Sequence, residues 1–149
     1  MRAPWRENMF NKGRWEGPIL DQHMHLDRNN RYFSAISEFI NSGGTAINLV
    51  HKPNFSDLPS TISDYRLAYD DTIDMAREIR EKFGIKVSVI LGPHPVSWEK
   101  QVHTIGLQES TSLHLQAVKL AIKYISLGEA VCLGEVGRPH YPVSVEIWD

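Results

Sequence analysis

From Pro18 onward the chain alternates short apolar runs with amphipathic stretches, and this alternation restricts the fold more than any single residue does. The apolar runs are Ile19-Leu20, Thr45 to Val50, Lys86 to Leu91 and Ala130 to Leu133. Each is strand-sized, and the second and third are rich in Val and Ile, as strands buried on both faces of a parallel sheet are. Between them, Tyr32, Ile36, Phe39 and Ile40 share one helical face that ends at Gly43-Gly44. Tyr69, Ile73, Ala76, Ile79 and Phe83 form a second face closed by Gly84, and Leu115, Val118, Ile122 and Ile125 form a third before Gly128. The order β-α-β-α-β-α-β calls for an α/β fold with a parallel sheet and right-handed crossovers. Tyr141 to Asp149 reads as the opening of a fourth helix, with Pro142 near its first turn.

The 149 residues fit one ordinary domain, divided here into an N-terminal arm, 1–17, and a folded region, 18–149. In the arm, Arg2, Arg6, Lys12 and Arg14 alternate with Trp5, Phe10 and Trp15. Two readings follow: a basic-aromatic segment that touches a polyanion, or tryptophans packed across one end of the domain. A composition of 42% hydrophobic and 23% charged residues excludes disorder and coiled coil. With a net charge of −2 there is no global basic field, so a nucleic acid would have to be gripped locally. The single cysteine, Cys132, cannot form an internal disulfide and sits in a run that reads as a buried strand, which points to a reducing, cytoplasmic compartment. There is no apolar leader and no run of the roughly 18–20 apolar residues that cross a bilayer, so no membrane partner is expected.

Chemistry concentrates where the strand-like runs end. The first leads into His23 and His25, the second into His51, the third into Gly92-Pro93-His94-Pro95 and the fourth into Gly134-Glu135. Parallel α/β folds bind ligands at the carboxyl ends of their strands. His23 and His25 are two apart, so on a strand both imidazoles leave the same face and can share a cation. Such a pair alone is a weak signal. Glu135 strengthens it, because it shares side-chain parity with Val131 and Leu133 and would bring a hard carboxylate oxygen toward the pair. His94, held between two prolines, is read either as a contact to substrate or to a metal-bound water, or as a structural turn residue. His51 reads as a strand-end histidine bonded to a loop, and Lys52 as a weaker candidate for meeting a phosphate. Asp21 and Asp27 flank the histidine pair and could orient an imidazole through its second N–H. Their alternatives are a buried hydrogen bond for Asp21 and a helix cap for Asp27.

Ile19-Leu20-Asp21-Gln22-His23-Met24-His25-Leu26-Asp27 resembles the opening of TatD-like hydrolases of the amidohydrolase superfamily, whose first strand carries Asp-x-His-x-His-Leu-Asp. Leu91-Gly92-Pro93-His94-Pro95 is similar to the family's Gly-x-His-Pro segment, and Leu133-Gly134-Glu135-Val136-Gly137 to its Gly-Glu-x-Gly segment. The three motifs occur in the family's order from Ile19 to the C-terminus. Arg138-Pro139-His140 departs from the continuation usual in bacterial members, which suggests a divergent branch.

The resemblance implies a TIM-type (β/α) barrel of which about four βα units are present, a half or truncated barrel. It implies one or two divalent ions (Zn, Mn or Mg) on His23, His25 and Glu135, with Glu135 also catalytic. It further implies hydrolysis of a phosphodiester, as in a DNase, or of a related ester bond. The substrate would be a small phosphodiester or a nucleic-acid end. The family's later histidines and aspartate match nothing here, so weak activity is expected, with completion by a homodimer or by a separate C-terminal half. Two other readings stay open: a non-catalytic half-barrel serving as a metal-binding or interaction module, and another amidohydrolase acting on cyclic amides or lactones.

Overall fold

The computed structural model describes residues 9–12 and 14–137. The fourth helix expected at 141–149 and most of the arm lie outside these residues. Ahead of the alternating segment, β1 (Phe10–Asn11) and β2 (Arg14–Trp15) form a small antiparallel hairpin. The indole N–H of Trp15 donates to the Pro18 carbonyl at 3.4 Å.

The apolar runs become one parallel sheet: β3 (Leu20–Met24), β4 (Ala46–Val50), β5 (Lys86–Leu91) and β6 (Cys132–Leu133), in the spatial order β3-β4-β5-β6. Helix α1 (Tyr32–Asn41) joins β3 to β4, and α2 (Ile62–Phe83) joins β4 to β5. Two helices, α3 (Pro95–Ile105) and α4 (Leu107–Ser126), join β5 to β6. This is an α/β architecture of alternating parallel strands and helices, a partial TIM-type barrel.

The two faces of the sheet differ because side chains alternate along a strand. Ile47 and Leu49 of β4 and Val87, Val89 and Leu91 of β5 are buried with Ile73, Ala76 and Ile79 of α2 in a single core. The opposite parity carries Asn48 on β4 and Ser88 on β5, and on β3 it carries His23, which follows the register shift and stands next to Met24, the partner of Leu49. One face therefore serves the core and the other is free for polar work. Helix α2 begins with a capping box: the Thr61 hydroxyl accepts from the Asp64 N–H at 3.2 Å, and the Asp64 carboxylate accepts from the Thr61 N–H at 2.8 Å.

Three expectations are corrected. The first is the missed helix α3. Pro95, read as a turn restriction, stands at the first helical position, where its fixed φ and missing N–H are both suited. Gly106, at φ 86°, then separates α3 from α4. The second concerns the face of α4 that meets the core. Leu115 and Ile122 are 54% and 48% exposed, whereas Leu113, Ala117, Leu120 and Ala121 are buried. The helix carries two neighbouring apolar stripes, and the one with alanines allows close approach to its neighbours. The third is Cys132, which is exposed because β6 is an edge strand of two residues and not a buried one.

Candidate metal centre

Strand β3 changes register against β4 between Asp21 and Met24, an irregularity at the position of His23. Such irregularities re-aim side chains and recur beside functional sites. Asp21 accounts for part of the local geometry, since its Oδ1 accepts the backbone N–H of His23 at 2.9 Å. The two imidazoles then converge, with Nε2 of His23 and Nε2 of His25 3.0 Å apart. His25 Nδ1 lies 3.1 Å from the Val50 carbonyl oxygen. A carbonyl only accepts, so Nδ1 carries the proton and the Nε2 lone pair of the neutral ring faces His23.

Glu135 arrives from the far side. It follows β6, while the histidines belong to the β3 side, and these are the two outer strands of the sheet. Neighbouring strands lie about 4.8 Å apart, so a flat sheet would hold β3 and β6 roughly 14 Å from each other. Yet Glu135 Oε1 is 3.6 Å from His23 Nε2, and Oε2 is 3.5 Å from His25 Nε2. Only a sheet curled toward its polar face lets the side chains from both margins meet. Two glycines allow the local fit. A Cβ at Gly92 would lie 2.7 Å from the carbonyl carbon of Gly134, and a Cβ at Gly134 would lie 2.9 Å from Ile90 Cγ2.

The donor set fits a divalent ion. Ligands about 2.1 Å from a tetrahedral metal are about 3.4 Å from each other, and the distances here run from 3.0 to 3.6 Å. The set is two borderline imidazole nitrogens and one hard carboxylate, a combination common at catalytic zinc. The side chains of His23, His25 and Glu135 are 51%, 32% and 33% exposed, so the centre opens to solvent and can receive a substrate.

His94 joins this group in a different role. It is the N-cap of α3, and its Nδ1 accepts the Val96 N–H at 3.1 Å. In the neutral ring the proton therefore sits on Nε2, which lies 3.5 Å from Glu135 Oε2. That nitrogen is a donor and not a lone pair for a metal. Burial lowers the His94 pKa, against the opposing pull of Glu135.

The remaining candidates are placed elsewhere. Asp27 accepts from Lys52 Nζ at 2.7 Å and from the Asn29 N–H at 2.9 Å. These contacts, the Lys52 hydrogen bond first, hold its carboxyl below the usual range. His51 is buried, with Nδ1 3.3 Å from the Thr72 hydroxyl oxygen and its ring edge-on to Tyr69. The Thr72 hydroxyl donates to the Ala68 carbonyl at 2.9 Å, so His51 Nδ1 is the donor of that pair. Burial, then the nearby His25 and His94, bring the His51 pKa down to about 4. His51 and Lys52 line two adjoining cavities, of about 320 and 420 Å³, and His94 lines the larger.

The family model for TatD related DNase matches residues 20–149, nearly the whole chain. The chain belongs to the TatD-related DNase family. The matched region includes every residue of the His23–His25–Glu135 group. A relative from Methanocaldococcus jannaschii, the uncharacterized protein MJ1127, is 27% identical over 134 residues. The match covers 88% of this chain and 46% of the relative, so the chain spans about half that protein's length. No solved structure matches. The TatD-related family is generally metal-dependent, and this member carries a possible His/Glu metal site. Sequence reading missed the pairing of Gly92 with Gly134. Its signal was present, since each glycine immediately precedes or nearly precedes a candidate site residue.

Proposed function

We propose that this chain is a metal-dependent hydrolase unit of the DNase type, directed at phosphodiester bonds and weakly active on its own. The observation that carries this reading is the convergence of His23 and His25 from one margin of the sheet with Glu135 from the other. A divalent ion held by these three residues would supply Lewis acidity to a phosphoryl oxygen and to a water.

The chain's own groups divide the remaining work. His25 is oriented by the Val50 carbonyl, so its donor atom is already aimed before any ligand arrives. His94 presents an Nε2–H beside Glu135, and such a donor suits an anionic phosphoryl oxygen better than a base's task. Glu135 lies 3.5 to 3.6 Å from three imidazoles, where it would serve the ion together with His23 and His25. Among the described residues there is thus no uncommitted group at the centre to take a proton from water. A positioned general base contributes typically 10²–10⁴-fold, which is why slow turnover is expected. The outer edges of β3 and β6 are unpaired among the described residues, and a second copy or a complementary chain would cover them.

The test is turnover of a base-free model phosphodiester with Mg²⁺, Mn²⁺ or Zn²⁺ by wild type, Glu135→Ala and His25→Ala. Slow wild-type turnover lost in both variants supports the reading. Metal binding with no turnover at all would favour the non-catalytic module, and turnover that survives both substitutions would remove the centre from the chemistry.

A further inference from the structure

We infer that Phe55 is a stacking platform for a base of a single-stranded nucleic acid whose phosphodiester lies at the His23–His25–Glu135 centre. The inference rests on the phosphodiesterase reading and adds the part of the substrate that the metal centre does not touch.

Phe55 sits in the loop between β4 and α2. The loop is held as a tight turn: Asn54 Oδ1 accepts the Ser56 N–H at 3.1 Å, and the Asn54 carbonyl accepts the Asp57 N–H at 3.3 Å. The turn holds the phenyl ring out and leaves it 40% exposed, against the usual preference for burying so large an apolar group. The ring stands edge-on to His94, with centroids 5.2 Å apart and planes at 80°. His94 in turn is 3.5 Å from Glu135, so one imidazole separates the exposed phenyl from the candidate metal ligands.

Charge around the ring matches a nucleotide strand. Lys100 Nζ, from α3, lies 5.4 Å from the Phe55 centroid, where it can leave the ring for a neighbouring phosphate. The cavity of about 420 Å³ under the same loop is lined by Asn54, Asp57, Ser60, Asp64, His94 and Ser97, among others. Asp64 is held by the Ser60 and Thr61 N–H groups and the Lys52 ammonium by Asp27, which leaves the Asp57 carboxylate to meet the N–H edge of a base. Aromatic side chains bind bases with little sequence preference, because every base offers a π-face. The global charge of −2 requires a local grip of this kind for a nucleic acid to bind at all.

The probe is single-stranded DNA carrying 2-aminopurine at either terminus or internally, titrated with the full chain in the presence and absence of Mn²⁺. Stacking quenches 2-aminopurine fluorescence, so this readout is independent of turnover. Wild type should quench one of the labelled positions. Phe55→Ala should bind about 5- to 100-fold more weakly with the quench lost, and Phe55→Trp should restore both. Circular dichroism of Phe55→Ala would verify the fold. An unchanged quench in Phe55→Ala, or no quench by wild type at any position, overturns the inference. Equal quenching of the free 2-aminopurine mononucleotide would reassign the platform to a mononucleotide and overturn the strand. Failure of wild type to hydrolyse a base-free phosphodiester counts instead against the phosphodiesterase reading, whatever the quench shows.

Discussion

The middle of the sheet and its margins are built for opposite purposes. Strands β4 and β5 pair over five successive residues in unbroken register and bury Ile47, Leu49, Val89 and Leu91 against α2. The margins are short or irregular. Strand β3 shifts register beside His23, β6 is two residues long, and Leu20 and Val131 are 47% and 60% exposed. Yet the margins, not the middle, carry His23, His25 and Glu135. Stability is concentrated where no ligand is supplied, and the ligands stand on elements whose positions depend on the curl of the strands between them. The architecture separates what holds the fold from what holds the ion.

The largest expected effect tests that separation directly. Leu91 is fully buried in β5, and Leu91→Ala should cost about 2–5 kcal/mol of unfolding free energy. Val131→Ala, at an exposed margin position, should stay within about 0.5 kcal/mol. Urea denaturation of both variants provides the comparison, and similar losses would show that middle and margin share one core.

A second effect concerns acid. The His51 pKa is brought down to about 4 from 6.5 by burial. The unfolded chain therefore binds a proton between these values that the folded chain refuses. Stability from the neutral ring is complete above pH 6.5 and is lost as pH falls toward 4, by about 3 kcal/mol in total. Denaturation of the chelator-treated protein at pH 7 and pH 4.5 should show this loss, and His51→Gln should flatten it. An equal pH slope in the variant would place the sensitivity in other groups.

The smallest expected effect sharpens the link between middle and margin. Gly92 follows β5, and a Cβ there meets the Gly134 backbone that leads into Glu135. Gly92→Ala should weaken metal affinity by roughly 10- to 100-fold, the range for groups that hold a ligand in place, while leaving the core intact. Titration of zinc against a chromophoric chelator would measure it. Unchanged affinity would mean that the strand ends adjust freely.

How far this was legible in the sequence depended on how local each signal is. The middle strands announce themselves: Lys86 to Leu91 is a strand over the span its Val and Ile content indicates. The histidine spacing and the place of Glu135 at the end of the fourth apolar run were legible, but parity was no guide to Glu135: Leu133 pairs with Leu91 on the core face, and Glu135 lies beyond β6 beside the histidines. Asp27 was not, because its partner Lys52 lies 25 residues away across a loop that no periodicity describes. The face of α4 was misread, since two apolar stripes lie side by side and only the packed neighbours choose between them. Helix α3 was hidden behind Pro95, a residue that starts helices as readily as it ends them. The curl that joins the margins is a property of the whole sheet and of no single segment.

Glu135 reaches the histidines only across the sheet, so its removal probes the curl itself. The measurement is zinc affinity by chelator competition for wild type, Glu135→Ala and the His23→Ala/His25→Ala double variant. Wild type should show one site, Glu135→Ala should bind at least about tenfold more weakly, and the double variant should show no comparable binding. Wild-type affinity in Glu135→Ala would contradict this, since the ion would then belong to the β3 margin alone.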